Sequence, residues 1–228
     1  MTGCKYSLVI PVYNEEESLE VLIAEIFQVM TPLSGGYEII FINDCSSDNS
    51  AKIIREFESQ FPEVIRGIYL NKRSGQTFAL AQGIQNANGE NIITLDADLQ
   101  NDPADIPSLL VKMEMGYDCV CGWRKEREDV LLKTVFSKLG NILQRVVTRL
   151  KIHDISCTLR GYKRGCLQNL SLEWEGQHRF IPLILSRQGY KIGEVVSGHR
   201  RRLYGRSKYS HRRIGRVILD FFRVLAKK

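Results

Sequence analysis

Four short runs rich in β-branched and aromatic residues punctuate the first hundred positions: Tyr6–Ile10, Tyr37–Ile42, Val64–Leu70 and a run opening at Asn91. Each reads as a strand, because a strand buried on both faces is a brief continuous apolar stretch bounded by turn residues. Between them the apolar period changes. Leu19, Leu22, Ile23, Ile26, Phe27 and Met30 share one helical face, Ile53, Ile54 and Phe57 another, and a third helix is predicted from about Gln76 to Asn86. Asp48 stands where it can cap the second of these. Strands alternating with helices predict an α/β fold on a sheet of parallel type. Such sheets carry their ligands at the C-terminal ends of the strands.

The sequence puts acid at those ends. Tyr13 and Glu15 follow the first strand, Asp44 the second, and Asp96 and Asp98 the fourth. The fourth strand delivers its two carboxylates one residue apart, and alternation on a strand points Asp96 and Asp98 the same way. Two like charges side by side are unfavourable unless a cation or donors neutralise them. A hard divalent ion shared between carboxylates, water and a substrate diphosphate meets that need. Turn-forming acids at a solvated strand end have the same spacing. No GxGxxG follows the first strand and no GxxxxGK[ST] occurs, which argues against a dinucleotide-binding oxidoreductase and a P-loop NTPase.

At 228 residues, 43% hydrophobic and 25% charged, the chain suits one domain with at most an appendage. Cys4, Cys45, Cys119, Cys121, Cys157 and Cys166 lack zinc-type spacing. With no signal peptide in view, reduced thiols in a cytoplasmic protein are expected. No apolar run approaches the roughly 20 residues of a membrane span. Charge is uneven: residues 199–228 hold 11 Lys/Arg and one acid, against 21 Lys/Arg and 25 acids elsewhere. A basic tail on a mildly acidic body predicts contact with phosphates, in nucleic acid, an anionic membrane or a phosphorylated substrate.

The second half is less regular. Strands are predicted at Tyr117–Gly122, Cys157–Tyr162 and Tyr190–Val196, and a helix at Gln177–Arg187. From about Val130 to Leu150, Leu132, Phe136, Leu139, Leu143, Val146, Val147 and Leu150 keep helical spacing beside Lys133, Lys138, Arg145 and Arg149. A core-facing helix and an interfacial helix at a membrane surface share that appearance. Ile214, Val217, Ile218, Phe221, Phe222 and Leu225 make the terminal segment 211–228 a basic amphipathic helix that docks on the body or lies on a membrane.

Several motifs occur together in order: Val9-Ile10-Pro11-Val12-Tyr13-Asn14-Glu15, Asn43-Asp44-Cys45-Ser46-Ser47-Asp48, Leu95-Asp96-Ala97-Asp98-Leu99-Gln100-Asn101-Asp102-Pro103 and Arg202-Leu203-Tyr204-Gly205-Arg206-Ser207-Lys208. This set resembles the family-2 inverting glycosyltransferases of the GT-A fold, and more narrowly the polyprenyl-phosphate sugar synthases. His178-Arg179-Phe180-Ile181-Pro182 and Gly189–Val195 extend the likeness, which runs from about Tyr6 to Tyr209. The resemblance implies a glycosyltransferase domain over residues 1–210, moving a hexose from a GDP- or UDP-linked donor to a polyprenyl phosphate. The protein would sit peripherally on the cytoplasmic face of the membrane.

The same resemblance assigns roles. Pro11, Tyr13, Glu15 and Asp44 would hold the nucleotide, with Asp96, Ala97, Asp98, Arg202 and Lys208 completing the nucleotide-sugar site. Asp96, Asp98 and Gln100 would hold Mg²⁺ or Mn²⁺. Arg124, Lys133 and Ser137 would receive the acceptor phosphate, and Asp98 and Arg124 would be the catalytic residues. Asn43 departs from the family's pattern, in which many members have a second aspartate. Arg160 and His178 fit a structural role as well as a site role.

A polyprenyl phosphate attacks with an oxygen already anionic near neutral pH, so cations suffice and no base is needed. A hydroxyl acceptor on a saccharide or protein needs a base, for which Asp154 and Glu175 are the candidates. Both also stand at positions that serve structure, so Asp154→Asn and Glu175→Gln are expected to keep turnover while Asp98→Asn loses it. The third alternative is a basic-tail protein binding nucleic acid or anionic membrane. Only Tyr204 and Tyr209 could stack on bases in that tail, and no nucleic-acid partner is expected.

Overall fold

The computed structural model describes residues 4–125, 150, 152–202 and 213–226, with side chains in the last segment at 219–221 and 223–226. The predicted 130–150 helix, Leu150 excepted, lies outside the described residues.

Strands β1 (Tyr6–Val12), β2 (Tyr37–Asn43), β3 (Ile65–Tyr69) and β4 (Asn91–Thr94) alternate with helices α1 (Leu19–Met30), α2 (Ser50–Gln60) and α3 (Gln76–Asn86). A 3-10 turn at Pro103–Asp105 leads into α4 (Ile106–Glu114), followed by β5 (Cys119–Arg124), β6 (Arg160–Lys163), the short α5 (Arg164–Leu167), α6 (Ile181–Arg187), β7 (Ile192–Ser197) and α7 (Arg213–Ala226). The seven strands run in the order β3-β2-β1-β4-β6-β5-β7. All neighbours pair parallel except β6, which is antiparallel to both β4 and β5. The α/β sheet is therefore mainly parallel, with one reversed strand that sequence periodicity does not distinguish.

The order reverses between β1 and β4. The chain winds outward through β2 and β3, then returns to the other side of β1, leaving a crevice where the loops after β1 and β4 diverge. Both sheet faces are covered, as a parallel sheet requires. Leu8, Ile10, Phe41 and Ile93 pack with Leu22, Ile23 and Ile26 of α1 and Leu109 of α4. On the opposite face Val9, Ile40 and Ile42 meet Ala79 and Leu80 of α3, with Phe180, Ile181, Phe221 and Val224 in the same core. Gly83 lets α3 approach closely: a Cβ there would stand 2.3 Å from Val9 Cγ1 and 2.6 Å from Ile42 Cδ1.

Some boundaries differ from the sequence reading, each for a local reason. The second helix starts after Asn49, yet Asp48 still serves its end, Oδ1 accepting from Ser50 N at 3.0 Å. Gln177–Arg187 divides into a 3-10 turn, Gln177–Phe180, and α6. The strand read at Cys157–Tyr162 starts only at Arg160, whose antiparallel partner on β4 is Thr94. Helix α7 rests on the body through Phe221 and Val224, with the Phe221 and Phe180 rings 6.1 Å apart. Arg187 Nη1 donates to the carbonyls of Val224 and Leu225 at its last turn. No helix among the described residues is long and apolar enough to cross a membrane.

Candidate active site

Strand β4 ends at Thr94, so Asp96 and Asp98 sit on a loop. Their placement by strand alternation is therefore corrected: β4 runs out of partners at Val9↔Thr94, while β1 continues alongside β2 to Val12↔Asn43. A turn at Leu99, φ 60°, shapes the loop, and Asp98 Oδ1 accepts from Gln100 N at 3.2 Å. Leu95, Ala97 and Leu99 are buried in the core, which anchors the loop and turns the intervening acids to the crevice. Ala97 thus meets core, not crevice, with its side chain.

Asn14, Cys45 and Leu99 are the non-glycine residues with positive φ among those described, at 52°, 57° and 60°. They lie on the loops after β1, β2 and β4. Left-handed backbone at such residues costs about 1–3 kcal/mol each and clusters at functional sites. The first two loops are laced together. Asn14 N donates to Ser46 Oγ, Glu15 N to Ser50 Oγ and Glu16 N to Asp48 Oδ2, at 3.0, 2.9 and 3.2 Å.

Around this frame the predicted residues fall as follows. Pro11 is on β1, and the Tyr13 ring lies under the Arg73 guanidinium, 4.0 Å from its centroid. Asp44 is buried and accepts from Ser74 N at 2.6 Å and Gly75 N at 2.9 Å, tying the β3–α3 loop to β2. Asn43 is buried at the end of β2, and its Oδ1 has no hydrogen-bond partner among the described residues. Arg202 reaches into the crevice, with Nη2 2.9 Å from Asp98 Oδ2 and 3.2 Å from Glu15 Oε1. Residues that sequence places about a hundred or more positions apart thus meet. Lys133, Ser137 and Lys208 lie outside the described residues.

Asp96 is the most perturbed acid of the crevice. Burial, then the neighbouring Asp98 charge, pushes its carboxyl up to about 7, against the Thr158 hydroxyl and Arg124, which lower it. Such a pair favours an added positive charge. Among the described residues no three His, Cys, Asp or Glu side chains form a metal cluster. Two carboxylates with Gln100 nearby suit Mg²⁺ or Mn²⁺, which commonly complete their coordination with water and substrate phosphate.

Arg124 is nearly enclosed. Its Nε donates to Asp154 Oδ2 at 2.7 Å, and its Nη2 to Asp154 Oδ1 at 3.1 Å and Ser156 Oγ at 2.8 Å. Burial lowers its pKa, but Asp154, then Cys157 and Asp96, more than offset this and hold it above the ordinary value. Glu194 supports the assembly from β7, its Oε1 accepting from the backbone N of His153 and Asp154. Glu175 Oε2 accepts from Thr77 N at 3.0 Å, so it caps α3 and not the helix that follows it in sequence. Arg160 and His178 are internal: Arg160 donates to the carbonyls of Ile155, His178 and Arg179, and His178 Nδ1 pairs with Thr77 Oγ1 at 2.6 Å.

Gln76, Arg73 and Arg200 escape sequence reading. Gln76 Nε2 donates to Asp96 Oδ1 at 2.6 Å. Arg200 pairs with Glu25 at 2.7 Å and Asp102 at 2.6 Å, so it pins the tail to α1 and to the acid loop. No sequence signal announces these contacts, which join separate loops.

Known proteins share the family and the fold. The model described as glycosyl transferase family 2 matches residues 7–171. The undecaprenyl-phosphate 4-deoxy-4-formamido-L-arabinose transferase of Photorhabdus laumondii is 38% identical over 221 residues, covering 97% of this chain and 68% of the relative. The dodecaprenyl-phosphate galacturonate synthase of Rhizobium johnstonii is 37% identical over 223 residues, covering 96% and 66%. The chain thus spans about two thirds of each relative's length. Among solved structures, glucosyl-3-phosphoglycerate synthase of Mycobacterium tuberculosis, with Mn²⁺, UDP and glucosyl-3-phosphoglycerate, superposes with a TM-score of 0.74 at 20% identity, covering 97% of this chain and 80% of that one. A mannosyltransferase of Pyrobaculum calidifontis with GDP-Man and Mn²⁺ gives 0.71 at 18% identity, covering 98% and 65%.

Proposed function

Because the chain belongs to glycosyl transferase family 2 and is a glycosyltransferase of GT-A fold, we propose that it moves a sugar from a GDP- or UDP-linked donor to a polyprenyl phosphate. The expected sugar is a hexose. The arabinose derivative in the name of the Photorhabdus relative widens the candidates to pentoses.

One observation carries the choice of acceptor. Both carboxylates that could serve as a base are committed elsewhere, Asp154 to Arg124 and Glu175 to the start of α3. An anionic phosphate oxygen needs no base, only cations to meet it.

The nucleotide lies in the crevice between the loops after β1 and β4, against Pro11, Tyr13, Glu15 and Asp44. When bound at Asp96, Asp98 and Gln100, Mg²⁺ or Mn²⁺ offsets the charge that develops on the leaving diphosphate. Arg202 neutralises Asp98 and Glu15 beforehand and turns to the diphosphate as the donor seats, with Lys208 joining it. Arg124, Lys133 and Ser137 gather the acceptor phosphate opposite the nucleotide, so attack inverts the anomeric carbon. The glycosyltransferase domain, residues 1–210, works at the cytoplasmic face of the membrane, with the basic helix at 211–228 beside the lipid surface.

The test is a transfer screen with Mn²⁺, pairing GDP-mannose, UDP-glucose, UDP-GlcNAc and a UDP-linked arabinose derivative with a short polyprenyl phosphate or a free saccharide. Product on the phosphate is expected, and it disappears in Asp98→Asn. Transfer to the saccharide alone overturns the acceptor assignment.

A further inference from the structure

The geometry points to Gln76 as a positioning residue that holds Asp96 for the dication through a neutral hydrogen bond. This deepens the proposed function and rests on it. The contact is short, Nε2 to Asp96 Oδ1 at 2.6 Å, and it bridges the first residue of α3 to the loop after β4.

The start of α3 is clamped from two sides. Asp44 accepts from Ser74 N and Gly75 N, and Glu175, about a hundred residues further along the chain, accepts from Thr77 N. Thr77 Oγ1 in turn accepts from Gly176 N at 2.8 Å and meets His178 Nδ1 at 2.6 Å. The turn between the clamps needs glycine: Gly75 has φ 93°, and a Cβ there would lie 2.5 Å from Glu175 Oε2. Every backbone contact named here fixes the helix end from which Gln76 projects. The amide therefore approaches Asp96 from a fixed point.

The chemistry explains why an amide suits the position. A lysine or arginine there would pair with Asp96 and cancel the negative charge a dication needs. An apolar side chain would leave the half-buried Asp96 oxygen to water and free to turn away from the ion. A neutral donor orients the carboxylate, occupies one oxygen and leaves the net charge of the acid pair unchanged. Arg202 treats Asp98 differently, as an exchangeable cation. Asp96 is thus held permanently and Asp98 provisionally.

The experiment is a titration of the full chain with Mn²⁺, followed by electron paramagnetic resonance, with and without UDP or GDP. Thermal unfolding of the metal-free protein is measured alongside. Gln76→Met keeps the side-chain length and removes the donor. We expect its Mn²⁺ affinity to fall about tenfold, the equivalent of one hydrogen bond to a charged group, with unfolding unchanged. Gln76→Lys falls further, because it adds a competing cation. Gln76→Asn, too short to reach, behaves as Gln76→Met and serves if that variant does not fold. Affinity in Gln76→Met equal to the unsubstituted protein overturns the role. So does a loss of affinity matched by a large drop in metal-free stability, which marks a merely structural residue. If the unsubstituted protein binds no Mn²⁺ in any state, the dication reading itself fails and the role of Gln76 falls with it.

Discussion

Replacing Asp154 with alanine isolates the best-defined ion pair of the site. The Asp154 and Arg124 side chains are 4% and 12% exposed, and two parallel hydrogen bonds of 2.7 and 3.1 Å join them. Removing the acid leaves a guanidinium in a nearly dry setting, with Ser156 Oγ its remaining hydrogen-bond partner among the described residues. Breaking one side of a buried pair costs about 3–5 kcal/mol. Asp154 also accepts from Ser156 N and Oγ at 3.2 and 2.8 Å, which places the expected cost toward the upper end of that range. Asp154→Asn keeps one acceptor oxygen and should cost about 1–3 kcal/mol. Replacing both partners with apolar residues, Arg124→Met with Asp154→Leu, should recover most of the loss, because no charge is then stranded. Urea unfolding at 25 °C and pH 7 with an unchanged m-value measures each variant, and the double-mutant cycle extracts the coupling. Turnover should fall in the alanine variant, where Arg124 loses its carboxylate, and in the double variant, which lacks Arg124, whereas Asp154→Asn, which can still accept from Arg124, should keep substantial turnover. An alanine variant destabilised by less than about 1 kcal/mol, or a double variant as costly as the two single ones summed, refutes the buried-pair account.

Four further outcomes follow from the same geometry. Asp98→Asn should abolish transfer and leave the fold intact, checked by product assay beside circular dichroism. Glu175→Gln should keep stability, since its amide oxygen can still accept from Thr77 N; Glu175→Ala should cost about 1 kcal/mol of capping in urea unfolding. Asp96 has a folded carboxyl raised to about 7, so between the ordinary value near 4 and about 7 the folded state binds more protons than the unfolded one. Stability of the metal-free protein should therefore fall as pH rises through that window, and Asp96→Asn should flatten the fall in unfolding curves taken at pH 5 and pH 8. Phe221→Ser removes the ring packed beside Phe180 and should weaken the docking of α7 by about 3 kcal/mol. Faster tryptic release of the C-terminal segment reads this out, and unchanged cleavage counts against docking through that ring.

The strands, the helices between them and the parallel character of the first half were legible in the sequence because burial on two faces and helical amphipathicity are written in local period. Asp44, Asp96 and Asp98 could be placed at the ligand-bearing edge for the same reason, as residues that follow apolar runs. Local period carries no information on what lies across a loop. It extended β4 too far, because the strand stops where β1 parts from it and not where its apolar residues end. It could not reverse β6, since an antiparallel strand has the same two-residue alternation as a parallel one. Only the tertiary structure brought Gln76 to Asp96, Arg202 to Asp98 and Glu15, and Asp154 to Arg124. Those contacts depend on the order in which strands assemble, and that order sets which loops share a crevice.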